Sequence, residues 1–296
     1  MRTLIVGANG QLGQELQATA SQTKNHIELI APKLERLDIC NQTQVDSYFA
    51  EFKPALVINA AAYTAVDQAE QESELAFESN RDGVANLASA CKAHQARLIH
   101  ISTDFVFDGR ASVPYKPADI AKPLSVYGSS KLAGEEALQT SGLEDYLILR
   151  TAWVYSSFGG NFVKTMLKLM AQRDSLGVVA DQIGTPTYAR EFAKAIWAMA
   201  LNTEFQGLYH WTDAGVASWY DFAVAIQEEA LEIGLLKIPI QINPIATAAY
   251  PTPAQRPAYG VLDKTDTWDQ LNCAPTHWRV RLREMLNTLA KSSGNL

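Results

Sequence analysis

The stretch that decides the fold is Thr3-Leu4-Ile5-Val6, followed at once by Gly7-Ala8-Asn9-Gly10-Gln11-Leu12-Gly13. The apolar run predicts a buried strand, and the amphipathic pattern over residues 11–21 predicts a helix directly after the glycines. Glycines at such a junction permit a tight turn and close approach of a pyrophosphate to the backbone, and the helix amino terminus favours the anion. The segment predicts dinucleotide binding, with a purely structural turn as the alternative. The candidate cofactor residues here are Gly7, Gly10, Gln11, Leu12 and Gly13.

The first half of the chain alternates apolar runs with helical patterns. The runs predict strands at residues 3–6, 27–30, 56–59, 98–102 and 146–149. Helical periodicity follows the first of them and recurs at residues 44–52, 74–94 and 129–139. Strands that are apolar on both faces and alternate with helices are typical of a parallel sheet covered on both sides. The pattern predicts an α/β fold of the Rossmann type, with a doubly wound parallel sheet.

The second half is less regular. Helices are predicted at residues 161–172, 189–201, 218–233 and 279–289, and a strand at residues 207–210. Residues 238–256 are rich in Pro, Ala and Thr. We expect a smaller C-terminal substrate-binding lobe. The predicted division assigns residues 1–165 and 190–225 to the dinucleotide-binding domain, and residues 166–189 and 226–296 to the lobe.

Composition excludes several classes of function. The chain of 296 residues carries 25 Lys and Arg against 32 Asp and Glu, a net charge of -7, and no basic stripe of the kind that nucleic acid requires. No window approaches the roughly 20 apolar residues that span a bilayer. Residues 1–10 are typical of a strand and a turn rather than of a signal peptide. We therefore expect a cytoplasmic protein without nucleic-acid or membrane partners.

Cysteine and histidine give no sign of a metal site. The three cysteines, Cys40, Cys91 and Cys273, are odd in number and lack CxxC spacing, and the five histidines form no ligand cluster. Packed, reduced thiols are the usual state of such cysteines. The sequence predicts neither a disulfide framework nor a bound metal.

The end of the second strand bears on the choice of nicotinamide cofactor. An acidic residue there would bind the ribose 2′-hydroxyl of NAD, whereas the chain has Ile30-Ala31-Pro32-Lys33. Lys33 or Arg36 could neutralise a 2′-phosphate, although both could equally be solvated loop charges. The pattern favours NADPH, with NADH as the alternative.

Two further segments follow the order expected of a cofactor site. Asp38 and Ile39 can place a carboxylate and an aliphatic wall beside an adenine, and Asn59-Ala60-Ala61-Ala62 ends the third strand with small residues. Either segment could instead be ordinary turn chemistry. We include Asp38, Ile39, Ala60 and Ala62 among the candidate cofactor residues.

The segment Tyr127-Gly128-Ser129-Ser130-Lys131 carries the candidate chemistry. On a helix, Tyr127 and Lys131 lie one turn apart on the same face. A phenol with a pKa of about 10 is a poor acid at neutral pH, and a neighbouring ammonium would lower that pKa. Thr103 falls at the carboxyl end of a parallel strand, where ligands bind, and could hold a substrate carbonyl beside Tyr127. The pair is predicted to be a proton donor; a surface pair is the alternative.

At this point the sequence resembles the extended short-chain dehydrogenase/reductases, and over nearly its whole length the family of dTDP-4-dehydrorhamnose reductases. The resemblance rests on several motifs: GANGQLG at 7–13, NAAAYTAVD at 59–67, STDFVFDG at 102–109, YGSSKLAGE at 127–135, RTAWVY at 150–155, Asn161-Phe162, DQIGTPT at 181–187 and Arg256-Pro257.

The resemblance implies a mechanism as well as a fold. NADPH or NADH would reduce C4 of dTDP-4-dehydro-β-L-rhamnose to give dTDP-L-rhamnose, a precursor of cell-surface polysaccharide. Tyr127 would donate the proton, Lys131 would hold the nicotinamide ribose and lower the tyrosine pKa, and Thr103 would orient the sugar. By the same resemblance, other residues are assigned to the substrate (Asp104, Trp153, Arg256) and to the cofactor (Ala62, Tyr63, Thr64). Trp153 could instead be an aromatic residue of the core, and Arg256 could instead serve merely to fix the final turn.

Related enzymes set limits on this expectation. Dehydratases of the fold typically place a glutamate after the aspartate, and Phe105 cannot serve that role; epimerases tend to retain NAD. The alternatives are a catalytically silent NADP-binding regulatory subunit, and a reductase or epimerase acting on another nucleotide sugar. Gly260 stands where many members have Ser. The resemblance allows a homodimer, but Arg190 and Thr288 stand where metal-bridged members have acids beside Glu15, which disfavours such a bridge.

Overall fold

The structure is a computed structural model that describes residues 1–23 and 26–293. Its centre is a sheet of six parallel strands, listed here in chain order: β1 (Arg2–Val6), β2 (Glu28–Ile30), β3 (Leu56–Asn59), β4 (Arg97–Thr103), β5 (Tyr146–Thr151) and β6 (Gly207–His210). Their spatial order is β6-β5-β4-β3-β1-β2. The α/β fold with a doubly wound parallel sheet is thus confirmed, and all six predicted strands form it.

The longer helices lie close to the predicted ones. They are α1 (Gln11–Ala20), α2 (Gln42–Phe52), α3 (Gly83–His94), α4 (Val126–Thr140), α5 (Phe162–Met170), α6 (Ala189–Ala200), α7 (Trp219–Glu232) and α8 (Trp278–Ser293). Short helical segments add Val66–Ala69, Ser73–Phe77, Asp104–Val106, Thr247–Ala249 and Thr265–Leu271. Within the described ranges, no helix is both long and apolar enough to cross a bilayer.

Alternating side chains of the sheet enter two separate cores. Val57 of β3 belongs to the core formed with α2 and α3, whereas its neighbour Ile58 belongs to the core formed with α1 and α6. Successive side chains of a strand point to opposite faces, so a doubly covered sheet needs apolar residues at every position. All four residues of β3 are buried; the first three are apolar accordingly, and the polar Asn59 stands at the carboxyl end.

A third core joins α5, α7 and α8, with Phe222 and Leu282 among its fully buried members. It includes Leu176 and Val178 from a two-stranded parallel sheet, Ser175–Val179 with Gln241–Ile245. No strand was predicted within the Pro-, Ala- and Thr-rich residues 238–256, where the structure forms this one. Pro244 makes the strand hard to predict from sequence, because proline is rare in central strands but tolerated at an edge. The proposed division into domain and lobe stays a prediction, and residues 24–25 and 294–296 of it lie outside the described residues.

The predicted helix at residues 74–94 is interrupted. Ser73–Phe77 is followed by a π-helical turn, Glu78–Asp82, before α3 begins. The turn carries Asn80, whose side-chain Oδ1 accepts a hydrogen bond from Tyr63 N at 2.9 Å. Its Nδ2 donates to Ser130 Oγ at 2.9 Å. Single π-turns of this kind often occur at functional sites. Here the turn ties the loop after β3 to α4.

Candidate active site

The glycine turn after β1 forms a cradle that side chains would fill. Gly7 has a positive φ of 75°, and a Cβ there would lie 2.5 Å from the nitrogen of Ala61. A Cβ at Gly13 would lie 2.2 Å from the carbonyl oxygen of Gly7. Gly10 caps α1 without a side-chain hydrogen bond, so the first amides of the helix are available to an anion. The turn therefore fits the pyrophosphate of a dinucleotide.

The other candidate cofactor residues line the same edge of the sheet but have structural partners too. Asp38 accepts a hydrogen bond from Cys40 N at 3.0 Å, which shapes the turn before α2. Ile39 is buried, and its carbonyl binds Asn86 at 2.8 Å. Lys33 is exposed beyond β2, as a residue that meets a ligand phosphate must be.

The small residues after β3 are held by Asn59, whose Oδ1 accepts the amide hydrogen of Ala61 at 3.1 Å. Tyr63 follows, and its hydroxyl donates to Glu72 at 2.6 Å. That hydrogen bond, with burial and the carboxylate charge, raises the pKa of Tyr63 to about 12. Thr64 is exposed. Gln11 of the glycine turn reaches across to the second half of the chain, where Asn161 donates to it at 2.9 Å.

Packing brings Tyr127 to Thr103. Ser125 caps α4 by accepting the amide hydrogen of Gly128 at 3.1 Å. A Cβ on Gly128 would lie 2.2 Å from the carbonyl oxygen of Phe105, so glycine lets the first turn of α4 lie against the segment that follows β4. The Phe105 and Tyr127 rings meet edge to face with centroids 5.5 Å apart.

The phenol of Tyr127 lies in a site that disfavours ionisation. Burial raises its pKa to about 12, a hydrogen bond with the Thr103 hydroxyl lowers it, and the charge of Asp104 raises it. We predicted that Lys131 lowers the pKa of Tyr127, but the pKa is raised. Burial is the main reason, and the Lys131 ammonium is directed to the carbonyl oxygen of Ile101, 2.7 Å away. The Tyr127 hydroxyl accordingly stays protonated at neutral pH, as a proton donor requires.

Lys131 is almost completely buried, at 2% exposure. Burial lowers its pKa to about 8, while the charge of Glu135 raises it. Glu135 is itself paired with Arg150, at 2.6 Å, in a buried ion pair. His100 Nε2 lies 3.5 Å from Nζ of Lys131. Polar groups therefore surround the buried lysine.

Asp104 is buried beside this pair. Its Oδ1 accepts a hydrogen bond from Thr103 at 3.1 Å, while Oδ2 has no partner in the described part of the chain. Burial raises the pKa of Asp104 to about 7, against the lowering effect of Thr103 and neighbouring backbone groups. A Cβ on Gly260 would lie 2.5 Å from Oδ2. The absent side chain at Gly260 thus makes room for the carboxyl group.

Trp153 adopts a positive φ of 46° and stacks on Trp219, with centroids 3.5 Å apart and planes 7° from parallel. Gly184 allows the indole to lie there, because a Cβ would approach it to 2.6 Å. The Trp219 indole N–H donates to Gln182 at 3.2 Å. Trp153 was a predicted site residue; Trp219 and Gln182 were missed. Nothing in the helical pattern of residues 218–233 marks one aromatic as functional.

Two cavities meet at these residues. A narrow cleft is lined by Asp104, Phe105 and Trp153. A cavity of about 560 Å³ is lined by residues of α5 and of the strand Ser175–Val179, both apolar and polar, and by Arg173 between them. Gln182, Trp219 and Arg256 line both. The arrangement suits an elongated ligand with a polar junction between its two ends.

Arg256 is placed at that junction, but it is already bound. Both carboxylate oxygens of Asp67 accept its hydrogen bonds, and Thr252 Oγ1 accepts another at 2.6 Å. The hydrogen bonds from Arg256 hold the pKa of Asp67 below its ordinary value. The structure thus brings Arg256 to the cleft and also gives it the turn-fixing contacts of the alternative interpretation.

Glu15 does not fit a metal ligand. It is fully buried, and it accepts hydrogen bonds from Ser156 Oγ at 2.7 Å and from Arg190 Nε at 3.0 Å. The guanidinium of Arg190 thus supplies the positive charge beside this carboxylate. Residues 1–23 and 26–293 hold no cluster of three or more His, Cys, Asp or Glu side chains arranged to bind a metal.

Comparison with known proteins gives matches over nearly the whole chain. The model of the RmlD substrate binding domain family matches residues 1–291. The dTDP-4-dehydrorhamnose reductase of Aggregatibacter actinomycetemcomitans is 45% identical over 289 residues, covering 96% of this chain and 98% of that protein. A crystal structure of a dTDP-4-dehydrorhamnose reductase from Clostridium acetobutylicum superimposes with a TM-score of 0.91 at 39% identity, covering 98% and 100% of the two chains. One from Bacillus anthracis, in complex with NADP, has a TM-score of 0.88 at 34% identity, covering 97% and 99%.

Proposed function

The chain belongs to the RmlD substrate binding domain family, and from that membership we propose that it is an NADPH-dependent reductase of the C4 ketone of dTDP-4-dehydro-β-L-rhamnose. The family resemblance predicted from the motifs is confirmed by matches over nearly the whole chain. The observation that carries the reaction type is the contact between Thr103 and Tyr127, with Lys131 one turn further along α4.

The residues that would hold NADPH fit it. The cradle of Gly7, Gly10 and Gly13 leaves room for a pyrophosphate against the backbone, and Lys33 is free of the core to meet a 2′-phosphate. The cofactor, when bound, supplies the hydride. The NADP complex of the Bacillus anthracis relative supports this choice. Gln11, Leu12, Asp38, Ile39, Ala60, Ala62, Tyr63 and Thr64 complete the proposed cofactor site.

Tyr127 would then supply the proton. The burial that raises its pKa to about 12 keeps the hydroxyl protonated at neutral pH. Reduction creates an alkoxide that is more basic than a phenolate, so transfer of the proton from Tyr127 to the forming alcohol is favourable. Thr103, bound to Tyr127, would orient the substrate oxygen. Lys131 would hold the cofactor ribose and offset the charge of the tyrosine after the proton has left.

The two cavities suggest how a nucleotide sugar would bind. The sugar would lie in the narrow cleft beside Asp104 and Trp153, and the nucleoside in the larger cavity. The diphosphate would then pass Arg256, which lines both. A guanidinium binds phosphate oxygens in pairs, as it binds a carboxylate here.

Phe105 favours reduction over dehydration. Water elimination needs an acid and a base on the substrate, and the position after Asp104 carries an aromatic ring that packs on Tyr127. The cytoplasmic location and the homodimer stay predictions.

The test of this function is substrate-dependent oxidation of NADPH by the purified protein, followed at 340 nm with several 4-keto sugar nucleotides and with both nicotinamides. We expect the highest kcat/KM with dTDP-4-dehydrorhamnose and NADPH. Higher kcat/KM with another sugar would indicate a reductase of that substrate. Tight NADPH binding without oxidation in every case would indicate the silent regulatory subunit instead.

A further inference from the structure

A buried column of polar side chains leads from the backbone of Ala61 to Lys131. Asn59 of β3 and His100 of β4 are both fully buried. Asn59 Nδ2 lies 3.2 Å from His100 Nδ1, and His100 Nε2 lies 3.5 Å from Lys131 Nζ. Three adjoining elements, β3, β4 and α4, thus contribute one polar side chain each, and the column ends on the proposed catalytic lysine.

The backbone amide of Ala61, at one end of the column, determines which group donates and which accepts in each hydrogen bond of the column. Ala61 N–H donates to Oδ1 of Asn59 at 3.1 Å, so the Nδ2 group, which can only donate, faces His100. Since neutral imidazole has one N–H and one acceptor nitrogen, Nδ1 must be the acceptor. The proton of His100 is therefore on Nε2, and it faces Lys131.

His100 keeps this single proton over the working range of pH. Burial lowers its pKa well below 6.5, and the charge of Lys131 lowers it further. The ring is consequently neutral at pH 7, and the tautomer is set by Asn59 alone.

The Nε2–H of His100 discriminates between the two forms of Lys131. An ammonium has three donors and no acceptor, so the charged lysine faces His100 donor to donor. The neutral amine has a lone pair that can accept the Nε2–H. The carbonyl oxygen of Ile101 accepts the hydrogen bond of the ammonium, at 2.7 Å. The column is fully satisfied when Lys131 is neutral.

We propose that Asn59 and His100 are positioning residues that fix an N–H toward Lys131 and so make this lysine a ready proton donor. The inference rests on the proposed function, in which Tyr127 loses its proton to the product. To restore Tyr127, the phenolate takes a proton from solvent and an O–H bond forms, while an N–H bond of Lys131 breaks as the ammonium returns a proton to solvent. The positive charge of the ammonium and the negative charge of the phenolate disappear together, so charge balances.

Other charged groups near α4 are engaged elsewhere. Glu135 binds Arg150, Glu70 accepts the amide hydrogen of Val126, and Arg81 binds Asp82. Arg97 of β4 is paired with Asp145, and Asp104 is bound to Thr103. Of the remaining titratable side chains on the segments packed against α4, Asp67 is paired with Arg256. The others are exposed: Glu74, Glu78, Lys92 and His94. Glu135, whose charge raises the Lys131 pKa, and His100, 3.5 Å from Nζ, are thus the titratable neighbours of Lys131.

The direct test measures the tautomer of His100 in the unmodified protein. Nitrogen-15 NMR of labelled histidine distinguishes the two neutral tautomers, and a His100→Gln variant assigns the signal. We expect His100 to be the Nε2–H tautomer from pH 6 to 9, in the protein without substrate. The Nδ1–H tautomer, or a ring that becomes protonated near pH 6.5, would overturn the proposal. Neither result depends on whether the protein is a reductase.

Two variants of Asn59 test the effect on Lys131, whose ε-carbon shift is followed by carbon-13 NMR against pH. In Asn59→Asp, the carboxylate accepts a hydrogen bond from Nδ1–H of His100. Nε2 of His100 then carries no proton and can accept from the Lys131 ammonium. Asn59→Leu removes the donor without adding charge. We expect both to raise the Lys131 pKa by about one unit or more, and to move the alkaline loss of turnover upward equally. A rise in Asn59→Asp alone would be a plain charge effect and would refute the tautomer mechanism, as would no rise in either.

Discussion

The guanidinium of Arg256 is held by both carboxylate oxygens of Asp67, with Nη1 2.9 Å from Oδ1 and Nη2 2.7 Å from Oδ2. The ion pair joins the segment after β3 to the segment that follows the strand Gln241–Ile245. It occupies the same donors that would bind a diphosphate. Asp67 and the substrate would therefore compete for Arg256.

Asp67→Asn should consequently tighten substrate binding. The neutral amide keeps one acceptor but removes the competing charge, and a partly exposed pair of this kind is worth about 1 kcal/mol. We expect KM for the nucleotide sugar to fall several-fold with little change in kcat. Glu28→Gln removes the carboxylate of another exposed ion pair, with Arg2, and is the matched control. A higher KM for Asp67→Asn would mean that Asp67 holds Arg256 in its binding position.

Tyr127→Phe should remove the proton donor without disturbing the packing against Phe105, because both keep an aromatic ring. We expect kcat to fall by about 10²–10⁴-fold, the usual contribution of a general acid, while fluorescence titration shows unchanged NADPH affinity. The control is Tyr146→Phe at the opposite, amino-terminal end of β5. Retained turnover in Tyr127→Phe would refute the assignment of the proton donor.

Gly7→Ala should abolish cofactor binding. Its Cβ would collide with the backbone of Ala61 at 2.5 Å, on a residue with a φ of 75°. Gly234→Ala is the control, since Gly234 has a similar φ of 78° and nothing within 4 Å of its Cβ. We expect loss of NADPH binding in isothermal titration for the first and only modest loss of stability for the second. Equal behaviour of the two would show that backbone strain, rather than crowding of the cradle, decides the outcome.

Asp104→Asn should stabilise the protein in a pH-dependent way. The folded-state pKa is raised to about 7 from 3.8, so the ionised carboxylate costs stability, and this cost develops as pH rises from about 4 to 7. At about 1.4 kcal/mol per unit, its upper bound is about 4 kcal/mol. We expect the variant to unfold at higher temperature than the original protein at pH 8 and to lose most of this gain at pH 5. A gain independent of pH would contradict the raised pKa of Asp104.

The sequence was most informative where local chemistry dictates structure. The glycines at residues 7–13 can only form the turn that the sheet needs, and the two-sided apolar strands required helices on both faces. The strand Gln241–Ile245 was missed because Pro244 and weak alternation conceal an edge strand. Its partner, Ser175–Val179, is 66 residues earlier, and no local pattern reveals such a pairing.

The site was predictable in its residues but not in their electrostatics. Tyr127 and Lys131 share one face of α4 as the spacing required. The direction of the tyrosine pKa was wrong because it depends on burial, and because the Lys131 ammonium bonds to the carbonyl of Ile101 on β4. Trp219 and the Asp67–Arg256 pair also depend on long-range packing, which residue spacing does not encode.

The most direct test of the central claim is isotopic. NADPH carrying deuterium at both C4 positions of the nicotinamide is incubated with the protein and dTDP-4-dehydrorhamnose, and the product is examined by mass spectrometry and proton NMR. We predict dTDP-L-rhamnose with one deuterium, located at C4 of the sugar. Unlabelled sugar, or no conversion by protein that still binds NADPH, would contradict the account.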